Sequence, residues 1–142
     1  MDLDELTERM GTLCGTRLDE VTRAGGLFSL RGEPAILLCL ARADEALLSG
    51  ELTEQCGLST GRVANLLRQL EGKGLVVRRG DEEDRRKIYV SLTEAGYMEA
   101  RRQQERIVSR RKALLSYLGE GDANEFVRLL ERCLDFCSMA AA

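Results

Sequence analysis

In the stretch STGRVANLLRQLEGKG, residues 59–74, the side chains of Arg62, Asn65, Arg68 and Gln69 recur at helical spacing. They fall largely off the face that carries Val63, Leu66, Leu67 and Leu70. These polar residues share one chemistry, directional hydrogen bonding to the edges of planar groups. A guanidinium can offer two donors to guanine O6 and N7, and a carboxamide can pair with adenine. Thr60, Gly61, Arg62, Asn65 and Gln69 are the outward candidates, and Ser59 with the backbone N–H groups of the helix start suits a phosphate. The competing reading is a solvated polar face, which any surface helix has.

A second group sits in GDEEDRRKIYVSLTEAG, residues 80–96. Acids and bases crowd the head of a run in which Ile88, Val90 and Leu92 alternate with Tyr89, Ser91 and Thr93. Alternation of this kind is strand-like, and the preceding LVVRR supplies a partner strand, with Gly80 to Asp84 as turn residues. The tip of a hairpin is narrow enough for a DNA minor groove, where the weakly hydrated guanidinium is favoured. A solvated, salt-bridged hairpin is the alternative.

The third group is sulfur. Of five Cys, Cys133 and Cys137 are one helical turn apart and Cys14 lies on the first helix. A redox switch or soft-metal site on Cys14, Cys133 and Cys137 needs no His. The competing role is small apolar packing, which is usual for buried Cys. Cys39 and Cys56 read as core residues. The count is odd and no CxxC occurs, so a disulfide framework is not expected.

Other classes lose ground on composition. The 142 residues contain no His, the commonest general base and transition-metal ligand. There is no Gly-rich phosphate loop and no GxSxG, so neither an enzyme nor a bound cofactor is expected. The longest uncharged stretch, Pro34 to Ala41, is too short to span a bilayer. The acidic start MDLDELTERM has no apolar signal region, which makes the cytoplasm the expected location. The formal net charge of −3 argues against nucleic acid until its distribution is considered. Residues 59–87 hold eight bases against five acids, and local charge is what a polyanion meets.

The elements that must position these groups follow from periodicity. A helix is expected over 3–23, with Leu3, Leu6, Met10, Leu13, Leu18 and Val21 on one side and Gly25-Gly26 as its stop. Pro34 opens a nearly all-apolar helix, PAILLCLARA. A short helix over 50–57, capped by Ser49 and closed by Gly57, meets the next at Cys56-Gly57-Leu58-Ser59, the form of a helix-turn-helix. Gly72 and Gly74 bracket the end of that second helix, and a hairpin directly after it is a wing. Thr93 caps a long helix from about Glu94 to Tyr117. Asp122 with Glu125 reads as a capping box for a last one. The basic run RRQQERIVSRRK on the long helix reads as a solvated, dimer-linking face in preference to a DNA backbone contact.

From about Leu48 to Gly96 the sequence resembles the MarR family of bacterial winged helix-turn-helix regulators. GELTEQCGLSTGRVANLLRQLEGKGLVVR is similar to its helix, turn, recognition helix and LExKGL run, and DEEDRRKIYVSLTEAG to its DxxDRRxxxVxLTxxG wing. The resemblance implies a mainly α fold with a small β-hairpin wing: a winged helix-turn-helix domain flanked by N- and C-terminal dimerisation helices. It implies one domain over 1–142, with the winged module at 31–96 and dimerisation helices at 1–30 and 97–142. It also implies a homodimer on a pseudo-palindromic double-stranded DNA operator, usually repressing a gene and released by a small-molecule effector or by thiol oxidation. In the wing, Arg86 falls at the tip, buttressed by Asp84, with Arg85 and Lys87 nearer phosphates. Gly61 and Ala64 depart from the polar residues the family often has, which shifts readout towards Arg62 and Asn65. An effector pocket is expected to draw on residues 10–40 and the start of the long helix. A winged helix that binds protein in place of DNA is the reading from another class, and its apolar recognition face is absent.

Overall fold

The first helix, α1 (Leu3–Thr12), is fixed by a capping box. Asp2 accepts from the Glu5 N–H at 2.9 Å and Glu5 accepts from the Asp2 N–H at 3.1 Å. A π-helical turn, Leu13–Arg17, continues it. The computed structural model describes residues 1–17 and 31–141. The remainder of the helix expected to residue 23, and its Gly25-Gly26 stop, lie outside the described residues.

Helix α2 (Glu33–Ala43) has Pro34 in its first turn, where a missing N–H breaks no helical bond. Six consecutive residues, Ala35 to Leu40, are buried, as an all-apolar helix requires. Asp44 ends it in the left-handed region at φ 51°. Strand β1 (Leu47–Leu48) leads into α3 (Ser49–Cys56). Ser49 is the first helical residue and not the cap. The Leu48 N–H instead donates to Glu51 Oε1 at 3.0 Å. Gly57, at φ 64°, turns the chain as a left-handed C-cap.

Helix α4 (Thr60–Gly72) starts where expected, with Ser59 Oγ accepting from the Arg62 N–H at 3.1 Å. Its apolar face is fully inside: Val63, Leu66, Leu67 and Leu70 are at most 2% exposed. Gly74, at φ 73°, carries the chain out of the helix end.

Strands β2 (Val76–Gly80) and β3 (Ile88–Leu92) pair antiparallel, from Val76 opposite Leu92 to Gly80 opposite Ile88. Alternation puts Val90 in the core and leaves Tyr89 exposed. Strand β1 pairs on the other side of β3, Leu47 opposite Val90, so the sheet order is β1-β3-β2. The hairpin is therefore one strand wider than its sequence pattern, and β1 anchors it to the core through buried Leu47.

Helix α5 (Glu94–Leu118) begins at Thr93, whose Oγ1 accepts from the Gly96 N–H at 3.0 Å. Helix α6 (Glu120–Ala140) starts two residues before Asp122, so no capping box forms there. Asp122 lies in its first turn, where the positive helix end favours an acid, and Glu125 pairs with Arg128. The chain divides into two compact units, residues 1–107 and 108–142. On α6, Leu129, Leu130, Leu134, Phe136 and Met139 are exposed, and on α1 so are Leu3, Leu6 and Met10. Among the described residues, no helix is long and apolar enough to cross a membrane.

Candidate nucleic-acid interface

Burial of the Val63-Leu66-Leu67-Leu70 face turns the opposite side of α4 outwards. Ser59, Thr60, Gly61, Arg62, Asn65, Arg68 and Gln69 are all exposed. The corner that presents them is tight: the Leu58 N–H reaches back to the Thr53 carbonyl at 3.3 Å. Among the described residues, no ion pair engages Arg62 or Arg68, so both guanidiniums keep their donors for a ligand.

The wing loop between β2 and β3 is built by two aspartates. Asp81 accepts from the Glu83 N–H at 2.9 Å, and Asp84 accepts from the Arg86 N–H at 3.0 Å. Side chains that hydrogen-bond the backbone two residues on organise a turn without strands. The loop is closed by the Asp81 N–H on the Lys87 carbonyl and the Lys87 N–H on the Asp84 carbonyl, each at 3.0 Å. Part of the acidic run is thus structural, while Glu82 and Glu83 face solvent. Asp84 also receives Arg86 Nε at 3.4 Å, so it orients Arg86 through backbone and side chain together. Arg86 stays 93% exposed, in the turn that leads into β3, with Arg85 and Lys87 exposed beside it.

One supporting pair was not singled out by the sequence reading. Arg78 on β2 donates through Nε and Nη2 to the two carboxylate oxygens of Glu71, at 3.2 and 3.0 Å. This bidentate contact ties the end of α4 to the wing. The hydrogen bonds from Arg78 hold the Glu71 carboxyl below the usual carboxylate range, and Glu71 raises Arg78. The seven-residue separation in LEGKGLVVR was its only sequence signal. Between α3, α4 and the wing lies a groove of about 430 Å³, lined by Ser49, Thr53, Thr60, Val63, Arg78 and Arg86 among others. Thr60 and the wing arginine thus border one concavity, which Arg62, Asn65, Arg68 and Gln69 do not line.

A separate pocket of about 410 Å³ is lined by Leu38, Ala41, Arg42, Tyr97, Ala100, Arg101 and Gln104. It uses the start of the long helix, as expected, but of residues 10–40 only Leu38 contributes among those described. The Tyr97 hydroxyl donates to Asp44 Oδ1 at 3.0 Å, and that hydrogen bond pushes the Tyr97 pKa up. Two guanidiniums, a carboxamide and an apolar floor suit a small anion.

The cysteines divide by burial. Cys14, Cys133 and Cys137 are exposed, Cys39 is buried and Cys56 is half-buried against the core. In the basic run on α5, Arg102 is engaged by Glu99 at 2.8 Å, in keeping with a solvated salt-bridged face.

Residues 30–87 match the model of the MarR family. Over that segment the chain is similar to the MarR family. The matched region takes in the whole interface just described, from α2 to Lys87. The organic hydroperoxide resistance transcriptional regulator of Bacillus subtilis is similar: 36% identical over 61 residues, 43% of this chain and 42% of that protein. So is the HTH-type transcriptional regulator SarZ of Staphylococcus aureus, 41% identical over 61 residues, 43% of this chain and 41% of that one. The match therefore spans about two fifths of these curated relatives, both of which are named as transcriptional regulators. Among solved structures, Streptococcus pneumoniae FabT in complex with DNA superposes with a TM-score of 0.67. The superposition covers 98% of this chain and 99% of that one at 19% identity, a likeness of fold alone.

Proposed function

We propose that this chain is a sequence-specific, DNA-binding transcriptional repressor that works as a homodimer in the cytoplasm and performs no catalysis. The observation that carries the reading is the exposed polar face of α4 beside a wing whose Arg86 is held outwards by Asp84. Ser59 and the N–H groups of the α4 start dock on phosphate. Thr60, Gly61, Arg62, Asn65, Arg68 and Gln69 face the major groove, with Arg62 and Asn65 reading base edges. Arg86 enters the adjoining minor groove while Arg85 and Lys87 meet phosphates. Residues 31–96 are the winged module. The segments 1–30 and 97–142 supply the dimer interface, which the exposed apolar side chains of α1 and α6 support. Two copies related by a two-fold axis match a pseudo-palindromic operator.

A small anionic effector fits the Arg42/Arg101 pocket and would release the operator from there. A second reading keeps the fold and makes the trigger a thiol. It is favoured by the exposure of Cys14, Cys133 and Cys137 and by the hydroperoxide-resistance role in the name of the Bacillus relative.

A gel-shift titration with the DNA flanking the chain's own gene tests the proposal. Binding is expected at low salt, with two chains per duplex. Affinity should fall by about three orders of magnitude or more between 50 and 200 mM salt, as roughly six or more phosphates lose their counterion-release term. Absence of any complex at low salt would overturn it and restore a protein-binding winged helix. Hydroperoxide leaving affinity unchanged would exclude the thiol trigger.

A further inference from the structure

Glu71 stands in the last turn of α4, where the negative helix end disfavours an acid. Its compensation comes from the wing. Arg78 lies on the inward face of the hairpin, opposite the buried Val90, and is itself half-buried. Its Nε and Nη2 donate to the two Glu71 oxygens at 3.2 and 3.0 Å. A planar guanidinium on a carboxylate fixes angle as well as distance, which a bare charge does not.

The place of this pair along the hairpin gives it its consequence. The hairpin base is held by the Leu75 carbonyl, which accepts from the Thr93 N–H at 3.0 Å, and by the buried Val76. Beyond Arg78 the strands run out to Gly80 and Ile88 and to the loop that carries Arg86. Among the described residues, no hydrogen bond or ion pair joins residues 79–87 to α3 or α4. Glu71 and Arg78 are thus the outermost polar tie between the recognition helix and the wing.

We propose that Glu71 and Arg78 are positioning residues for DNA recognition: their bidentate pair sets the wing against α4 so that Arg86 meets the minor groove while α4 lies in the adjoining major groove. This rests on the DNA-binding reading given above. The two grooves of a duplex stand in a fixed relation, so a protein that enters both must hold its two elements to match. A wing free to swing is competent in only a fraction of its orientations, and apparent affinity falls by that fraction. Neither residue needs to touch DNA. On charge alone Glu71 weakens binding, because it repels phosphate. Geometry, not charge, accounts for an acid beside this interface.

The test exploits that opposition of signs. Glu71→Gln removes a negative charge, which by electrostatics alone strengthens binding to any duplex. Arg78→Lys keeps the charge and loses the fork. Full-length variants are titrated by anisotropy against the duplex flanking the chain's own gene and against a scrambled duplex, with circular dichroism confirming the fold. Each variant should bind the first duplex about tenfold more weakly than the parent and the scrambled one no more weakly. The two changes combined should cost little more than either alone, as for a coupled pair. Dimethyl sulfate, which methylates guanine N7 in the major groove and adenine N3 in the minor groove, reads the two contacts separately. At saturation both variants should keep guanine N7 protection and lose adenine N3 protection. Should Arg78→Lys fail to fold, Glu71→Gln carries the test alone. Tighter operator binding by Glu71→Gln, equal weakening on both duplexes, additive losses or retained adenine N3 protection would overturn the proposal. A parent chain that binds neither duplex would remove the DNA-binding reading itself, a result distinct from a loss confined to the variants.

Discussion

Gly96→Ala is expected to lower stability by about 3 kcal/mol or more, which for a chain of this size is a fall in Tm of roughly 10 °C. On an ordinary helix the same change stabilises, by about 1 kcal/mol, because Ala is the better helix former. Here sterics win. Gly96 is buried in the first turn of α5, and a Cβ built on it would lie 2.0 Å from the Leu75 carbonyl oxygen and 3.1 Å from Leu92 Cδ2. The nearest atom is backbone, so no rotamer change relieves it. That carbonyl is also fixed, because it accepts the Thr93 N–H at 3.0 Å while Thr93 Oγ1 donates to the Gly74 carbonyl at 2.7 Å. Relief requires α5 to move away from the chain entering β2, which loosens the wing. Thermal denaturation followed by circular dichroism checks this, and a Tm within about 2 °C of the parent would contradict the close approach.

Arg62→Ala and Arg86→Ala together are expected to weaken operator binding by about three orders of magnitude or more with little change in Tm. A good bidentate contact to a base is worth about 1–3 kcal/mol, and a dimer loses each contact twice. Neither change should unfold the chain. Arg62 is exposed, and the Arg86–Asp84 pair is an exposed one of a kind worth under about 1 kcal/mol. Loss at Arg62 should relax preference for one base pair. Loss at Arg85, proposed above as a phosphate contact, should weaken all sequences alike and lower the salt slope by about 1 per site. Anisotropy titrations with operator and scrambled duplexes separate the two behaviours. Unchanged operator affinity in the double variant would sink the residue assignment.

The parts of this fold that were legible in the sequence are those set by local rules. The spacing of Val63, Leu66, Leu67 and Leu70 located the buried face of α4, and so its outward polar face. The Ser59 cap, the Gly57 turn and the alternation around Val90 are equally local. What could not be read depends on contacts between distant segments. Two residues of β1 are too few for any period, and they become a strand only by pairing with β3. Ser49 is a plausible cap by type, yet Glu51 does the capping from within the helix. Glu125 likewise has a partner in Arg128 that competes with a capping role. Gly96 is visible as a glycine, but the carbonyl that demands it belongs to Leu75.

The central claim is that two copies of the α4-and-wing surface read a two-fold DNA site, and hydroxyl-radical footprinting of the parent chain and Arg86→Ala on the operator tests it most directly. The expected footprint is a pair of protected half-sites whose centres lie about 10–10.5 base pairs, or a multiple of that, apart. Each should be flanked by minor-groove protection that disappears in Arg86→Ala. A single unpaired patch, or uniform protection along the duplex that Arg86→Ala leaves intact, would contradict it.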